Sequence, residues 1–298
     1  MTMHQNEIPV DETLVQRLLA NQFPEWSGLP LVRVLESGTD HALFRLGDAL
    51  VVRLPIIDWA DGQARLEATW LPRLASYVPV ALSIPVALGA PADDYPFTWS
   101  VNPWLPGTPP TAEEMDDRRL AGELAGFVRA LQGCDATGAS LFGSRGGSLA
   151  NPDRDEATRD SLRRCSDLVD ADAALGVWED AQAAPPWDGP ATWFHGDLQR
   201  GNLLIQDGHL TGILDWGTFG AGDPAVELAV CWNSMGREAR TVFRDVFAPD
   251  EATWRRGRGW AVSIAAMEIP YYRDSVPAFR DRSVRAIERV LAGEWRQR

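Results

Sequence analysis

Two segments decide the fold and the chemistry of this chain: WFHGDLQRGN at positions 193–202 and ILDWG at positions 213–217. Between them lie two β-favouring runs, 201–206 and 210–214, joined by Asp207-Gly208, which is a strong signal for a hairpin turn. The loop that carries Asp197 therefore leads into one strand, and the next strand returns the chain. This spacing predicts that Asp215 ends beside Asn202.

These residue types suit phosphoryl transfer to a hydroxyl group. That reaction needs a carboxylate to orient the hydroxyl and accept its proton, oxygen ligands that hold Mg²⁺ against the phosphates, and a cation. Asp197 can be the carboxylate, and Asn202 with Asp215 can hold the metal. Each residue alone would fit an ordinary polar loop, but the set with a hairpin between its members favours chemistry.

The pattern His-Gly-Asp, four residues, Asn, a hairpin and then Asp resembles the aminoglycoside phosphotransferase family. This family is a branch of the kinase-like fold, related to macrolide and choline kinases, and the resemblance runs from about position 32 to position 272. It implies that Asp197 is the catalytic base, that Asn202 and Asp215 bind Mg²⁺, and that ATP or GTP is the phosphate donor. Many relatives have His-Pro after the leucine, whereas this chain has Gln199-Arg200. We expect that change to alter only the loop surface.

The first hundred residues predict a β-rich lobe. An amphipathic helix at 11–21 precedes β-favouring runs at 30–36, 41–47 and 50–54, which predict an antiparallel meander. A helix at 61–76 and strands at 86–88 and 97–101 follow.

A Pro- and Gly-rich linker at 103–110 separates this lobe from a mostly helical remainder. Helices are predicted at 112–132 and 156–175, and over most of the chain after Asp223. We therefore predict an α+β, two-lobed, protein-kinase-like fold: an N-terminal nucleotide-binding lobe at 1–102 and a C-terminal catalytic and acceptor-binding lobe at 103–298, with a cleft between them.

The N-terminal lobe offers candidates for nucleotide binding. Gly38 lies in a turn at 36–41, where kinases place a phosphate-covering loop, although an ordinary hairpin turn fits equally well. The segment 97–107 resembles the family's hinge, where backbone groups meet the adenine. This resemblance points to Ser100 and Val101.

Arg53 is a cation within an apolar strand, where a charge is costly unless it is paired. It occupies the place of the strand lysine that holds ATP phosphates in kinases. Glu67 on the following helix is the predicted partner. An edge arginine that faces water, with a solvated glutamate, is the alternative.

The acceptor is weakly determined by the sequence. Acids of the C-terminal part could bind a cationic acceptor, although most of them also suit solvated helix faces. The candidates are Asp153, Asp155, Glu156, Asp160, Glu268 and Asp274. A macrolide would instead need an apolar groove, which the 13 tryptophans permit. Asp223 is predicted to cap a helix start.

Composition excludes several classes of protein. The formal net charge of -14 disfavours nucleic-acid binding, and 45% hydrophobic residues allow a sizeable core. Three cysteines without a CxxC pair favour a reducing compartment. No secretory signal or membrane-spanning segment is evident, so we expect a cytoplasmic protein without a membrane partner. The sequence does not predict the oligomeric state.

The sequence thus predicts a phosphotransferase that moves the γ-phosphate of ATP or GTP to a hydroxyl of a small molecule. An aminoglycoside-type antibiotic is a candidate acceptor, which would make the protein a resistance enzyme. A macrolide or a non-antibiotic metabolite is the alternative acceptor. A catalytically silent nucleotide-binding protein is a different possibility, and the presence of Asp197, Asn202 and Asp215 argues against it. A metal hydrolase would need a histidine cluster, and the chain has four histidines in all.

Overall fold

The computed structural model describes residues 6–35, 39–139 and 145–293. The chain forms two compact units, unit 1 with residues 1–108 and 211–217, and unit 2 with residues 109–210 and 218–298. The lobe boundary predicted between residues 102 and 103 remains a prediction about domain organisation. In the structure the division follows Thr108, and the segment 211–217 returns to unit 1.

Unit 1 is built around a sheet. Its elements are α1 (Glu12–Gln22), β1 (Leu31–Val34), β2 (His41–Leu46), β3 (Leu50–Pro55), α2 (Gln63–Leu74), β4 (Ala81–Leu82), β5 (Ala87–Gly89) and β6 (Trp99–Pro103). Five of these strands form one sheet in the order β1-β2-β3-β6-β5, with antiparallel neighbours. The predicted meander of the first three strands is confirmed.

The two α-helices of this unit, α1 and α2, each have a buried face. The side chain of Asp11 caps α1 by accepting a hydrogen bond from the Leu14 N–H, as a helix N-cap should. The apolar face of α1 and the inner face of the sheet share one core, whose members include Leu18, Phe44 and Trp99. In α2 the buried face contains Glu67 among apolar residues, and Pro72 lies in the last turn without ending the helix.

Unit 2 is mostly helical. Its elements are α3 (Arg118–Gln132), α4 (Pro152–Arg164), α5 (Ala171–Gln182), β7 (Thr192–Phe194), β8 (Leu203–Gln206), β9 (His209–Ile213), β10 (Gly220–Gly222), α6 (Val230–Asn233), α7 (Arg237–Phe247), α8 (Glu251–Tyr271) and α9 (Pro277–Leu291). The last residues of β9 belong to unit 1. With a sheet-based unit and a mostly helical one, the predicted α+β class is confirmed.

The long helix α8 organises unit 2, because α4, α5 and α9 all pack against it. Close approach requires a small residue at Gly257, where a Cβ would lie 2.5 Å from the Leu228 Cβ. Leu228 belongs to a 3-10 helix, Pro224–Ala229, which also lies against β7. The buried 3-10 helix therefore lies between α8 and β7, and it supports β7, the strand that leads into the Asp197 loop.

The predicted hairpin is confirmed. β8 and β9 are neighbours in a three-stranded sheet of order β4-β9-β8, and Asp207 and Gly208 both have positive φ, at 53° and 75°. Such values belong to the two-residue hairpin turn that this dipeptide favours. β9 then pairs in parallel with β4, at Leu82 and Ile213.

Two predictions about secondary structure need correction, and three short strands were missed. The helix expected at 156–175 is two helices, because Cys165 ends α4 and the side chain of Asp170 caps α5. The helix expected from residue 112 begins at Arg118, where Asp117 is the N-cap. The short strands β4, β7 and β10 were not predicted, since two or three residues are too few to show a period.

All three cysteines, Cys134, Cys165 and Cys231, are free and buried. Within the described ranges, no helix is both long and apolar enough to span a membrane. The cytoplasmic location remains a prediction.

Candidate active site

The loop that carries Asp197 connects β7 to β8. His195 follows β7 directly and is fully buried. Gly196 has a φ of +81°, and a Cβ at this position would lie 2.9 Å from the carbonyl oxygen of Thr218. Only glycine combines that backbone conformation with that contact. A single 3-10 turn, Arg200–Asn202, then leads into β8.

A buried carboxylate, that of Glu227, anchors this loop. Its Oε1 accepts from the His195 N–H at 2.5 Å, and its Oε2 accepts from the Gly196 N–H at 3.2 Å. From the other side the hydroxyl of Thr218 donates to the His195 carbonyl at 2.9 Å. The backbone before Asp197 is therefore held at three polar groups.

Burial raises the pKa of Glu227 to about 7, and the charge of Asp197 adds to the rise, while the two backbone N–H donors oppose it. The sequence reasoning did not single out this residue. A signal was present, because the family usually has an acid at both ends of the segment 223–227, but only Asp223 was assigned.

The carboxylate of Asp197 is held at one oxygen. Its Oδ2 accepts from Asn202 Nδ2 at 3.0 Å and from Gln199 Nε2 at 2.9 Å. Asn202 Nδ2 also donates to the Asp197 carbonyl at 2.9 Å. Across the part of the chain that the structure describes, Oδ1 accepts no hydrogen bond, so this oxygen can meet a hydroxyl group.

The expectation that Gln199 alters only the loop surface was wrong. Its amide reaches the Asp197 carboxylate, and its Oε1 accepts a hydrogen bond from Nη1 of Arg282 on α9. The sequence did not reveal this contact, because α9 lies more than 70 positions further along the chain.

In unit 1, Arg53 and Glu67 form the predicted ion pair. Arg53 Nη1 donates to both oxygens of Glu67, at 2.9 and 2.8 Å, and Nη2 lies 3.3 Å from Oδ1 of Asp215. The side chains of Arg53 and Glu67 are 12% and 1% exposed, so the pair is largely desolvated. Asp215 is 43% exposed and has a φ of +56° directly after β9.

Charge and burial compete within this cluster. Burial lowers the pKa of the Arg53 guanidinium, but the carboxylates of Glu67 and Asp215 outweigh it and raise the pKa overall. Burial raises the pKa of Glu67, and the adjacent guanidinium opposes that rise. His41 on β2 is also buried, and burial with the nearby Arg53 charge lowers its pKa well below the usual range. His41 is therefore neutral at pH 7.

The residues predicted for the hinge lie inside the sheet. Ser100 and Val101 are buried in β6, between β3 and β5. The Val101 carbonyl accepts from the Val86 N–H at 2.8 Å, and Ser100 is opposite Arg53 in the register. Sheet pairing therefore engages the backbone at these positions.

The remaining candidates have varied surroundings. Gly38, with Glu36 and Ser37, lies outside the described residues. The side chain of Asp223 caps the 3-10 helix by accepting from the Ala225 N–H, as predicted for a helix start, and it also pairs with buried Arg256 at 2.7 Å.

Three of the six acids considered for the acceptor, Asp155, Asp160 and Glu268, have side-chain partners among the described residues. Asp155 accepts from Trp178 Nε1 and Gln182 Nε2, at 2.7 and 3.1 Å. Glu268 lies 3.2 Å from Arg282 and accepts from the Ser283 hydroxyl. These two acids therefore serve the fold of unit 2 in the structure.

A sheet-based unit with a buried Arg–Glu pair, together with a helical unit that presents an aspartate from an anchored loop, defines the kinase-like class of phosphotransferases. Residues 31–260 match the model of the phosphotransferase enzyme family, APH, so the chain belongs to this family. The predicted family and the kinase-like fold are confirmed.

Solved structures show the same fold. APH(2")-IIia in its complex with GDP and kanamycin has a TM-score of 0.72 at 17% identity, covering 94% of this chain and 99% of that chain. The macrolide 2'-phosphotransferase MphH from Brachybacterium faecium has a TM-score of 0.60 at 24% identity, covering 97% and 100%. Aminoglycoside 3'-phosphotransferase of Escherichia coli is 30% identical over 71 residues, which are 24% of this chain. The chain spans about a quarter, 26%, of that relative's length.

Proposed function

We propose that this protein transfers the γ-phosphate of ATP or GTP to a hydroxyl group of a small molecule. The observation that carries the proposal is the state of Asp197: one carboxylate oxygen is fixed by two amide donors, and the other accepts no hydrogen bond within the described residues. A carboxylate held in this way can orient an incoming hydroxyl and receive its proton.

Arg53 supplies the cation for the nucleotide phosphates. Both carboxylate oxygens of Glu67 accept hydrogen bonds from Nη1, which fixes the guanidinium plane while Nη2 remains on the side of Asp215. A planar fork with a fixed orientation suits phosphate oxygens better than a mobile ammonium would.

Mg²⁺ is the cofactor that the residues fit. The Nδ2 of Asn202 is engaged by Asp197, which leaves Oδ1 as the ligand atom, and Asp215 presents a half-exposed carboxylate. Both are hard oxygen donors, the ligands that Mg²⁺ prefers. When bound, the ion would neutralise charge on the nucleotide phosphates.

For the adenine or guanine edge we revise the proposed contacts from Ser100 and Val101 to the backbone carbonyl of Pro103. Alternate residues of a strand point their backbone groups to opposite sides, and Val101 faces β5. The Pro103 carbonyl therefore also points away from β3. Pro103 lies beyond the part of β6, Trp99 to Val101, that pairs with β5. A purine edge can bind to backbone groups that no strand occupies.

Two acceptor classes follow from the family and the charge of the chain. An aminoglycoside is favoured by the net charge of -14, since polycations are attracted to acidic proteins. A macrolide is favoured by the engagement of Asp155 and Glu268 with protein partners, which reduces the acidic side chains left for a polycation. A non-antibiotic metabolite with a hydroxyl group remains the third candidate.

The test is a turnover screen of the purified protein with ATP or GTP, Mg²⁺ and a panel of kanamycin, streptomycin, erythromycin and metabolic alcohols. We expect nucleotide consumption to rise with at least one acceptor, and mass spectrometry to show its phosphorylated product. Nucleotide binding without transfer to any acceptor or to water would favour the silent alternative.

A further inference from the structure

We propose that Gln199 is a positioning residue that fixes the Asp197 carboxylate for proton acceptance, and that Arg282 of α9 holds Gln199 in the required orientation. This inference rests on the proposed function, because it concerns the same carboxylate. Neither residue had a predicted role in catalysis.

The charges at its two ends fix the orientation of the Gln199 amide. Nε2 donates to Asp197 Oδ2 at 2.9 Å, and Oε1 accepts from Arg282 Nη1. A carboxylate can only accept and a guanidinium can only donate. A flipped amide would set oxygen against the carboxylate and NH₂ against the guanidinium, so both contacts would become repulsive.

Arg282 is in turn held by its own surroundings. Its Nη2 lies 3.2 Å from Glu268 Oε2, which also accepts from the Ser283 hydroxyl at 2.5 Å. The guanidinium lies over the ring of Phe279, 4.8 Å from its centroid, and the side chain is 26% exposed. Contacts on α8 and α9 therefore determine where the Gln199 amide points.

These contacts have a consequence for the chemistry of Asp197. Oδ2 receives two amide donors, from Gln199 and Asn202, which restrains rotation of the carboxylate. Oδ1 is then the oxygen that meets the acceptor hydroxyl. As the acceptor oxygen bonds to the γ-phosphorus, its proton passes to Oδ1. The bond between the γ-phosphorus and the β–γ bridging oxygen breaks, and the nucleoside diphosphate leaves with that electron pair.

The experiment compares variants that keep or remove the donor. Gln199→Leu removes the amide at similar size, whereas Gln199→His keeps an N–H donor and a second ring nitrogen that can accept from Arg282. Gln206→Leu, at an exposed position, is the matched control. Arg282→Met is compared with Arg285→Met, which removes an exposed arginine from the same helix.

Rates are measured as phosphate transfer from ATP and GTP to kanamycin and erythromycin, and as phosphate release to water. Gln199→Leu should lower kcat about tenfold to thirtyfold, as expected for loss of a charge-assisted hydrogen bond, while KM for nucleotide changes less than about twofold. Gln199→His should recover most of kcat. Arg282→Met should lower kcat in the same way as Gln199→Leu, with a similarly small change in KM for nucleotide, and both controls should match the wild type.

Two results would overturn the inference. One is a Gln199→Leu variant with wild-type kcat. The other is a loss in Gln199→Leu that Gln199→His shares and that a lower Tm explains. If Asp197→Asn is inactive while Gln199→Leu is normal, only this inference fails. If the wild type transfers phosphate neither to these acceptors nor to water, or if Asp197→Asn keeps its rate, the proposed function fails and this inference fails with it.

Discussion

Replacing Glu67 with glutamine should reveal how much the buried ion pair contributes. Both oxygens of Glu67 lie within 2.9 Å of Arg53 Nη1, and the glutamate side chain is 1% exposed. Removing one partner of a buried pair can cost about 3–5 kcal/mol, because it leaves an uncompensated charge. Here Asp215, 3.3 Å from Nη2, and one amide oxygen of the new glutamine remain as partners. We therefore expect a loss of about 2–3 kcal/mol, below that range.

The assay is urea unfolding at pH 7, followed by calorimetric titration of ATP and GTP with Mg²⁺. Glu25→Gln, which removes the same charge from an exposed position, is the control and should leave both quantities unchanged. Nucleotide affinity should fall in Glu67→Gln, because Arg53 loses the contact that fixes its fork. A Glu67→Gln variant as stable as Glu25→Gln, with unchanged nucleotide affinity, would refute the reasoning.

Three further predictions concern metal and pH. Asp215→Ala should abolish transfer or weaken Mg²⁺-dependent nucleotide binding, measured by Mg²⁺ titration, and an unaltered titration curve would count against the metal assignment. Glu227 has a pKa raised from 4.5 to about 7 by burial, so its ionisation should lower stability by on the order of 3 kcal/mol as pH rises through that range. Glu227→Gln should remove this decline in urea unfolding, and an equal decline in both proteins would reject the explanation. Burial and the Arg53 charge lower the pKa of His41 below 6.5, so protonation of His41 is less favourable in the folded protein than in the unfolded chain. The free energy of unfolding should therefore be highest above pH 6.5 and should fall as the pH drops below 6.5. His41→Gln should unfold with less dependence on pH between 7 and 5, and a wild-type slope in this variant would argue against the role of His41.

The features predicted correctly from the sequence are those with a local physical signal. Asp207-Gly208 predicted its turn because few other dipeptides adopt two successive positive φ values at low cost. The pairing of Arg53 with Glu67 followed from the cost of a buried charge, since a cation in an apolar strand needs a partner and α2 supplies the next acid.

The features that sequence reasoning missed depend on tertiary contacts. In the sequence Glu227 looks like an ordinary helix residue. Only the folded structure shows that the 3-10 helix places its carboxylate against the backbone N–H groups of His195 and Gly196. Gln199 was expected to affect only the surface, and its role depends on Arg282, which no local pattern connects to the loop. Ser100 was expected to contact the nucleotide, but in the register of β6 it lies inside the sheet, opposite Arg53 of β3.

The most direct test of the central claim follows the fate of the γ-phosphate in wild type and Asp197→Asn. Each protein is incubated with γ-labelled ATP or GTP, Mg²⁺ and the acceptor selected by the turnover screen. We expect the wild type to form an O-phosphate ester on the acceptor, identified by ³¹P NMR. Asp197→Asn should form it about 10²–10⁴-fold more slowly while still binding nucleotide. An acceptor that stays unlabelled with the wild type, or an equal rate in the variant, would contradict the assignment of Asp197 as the base of a phosphotransferase.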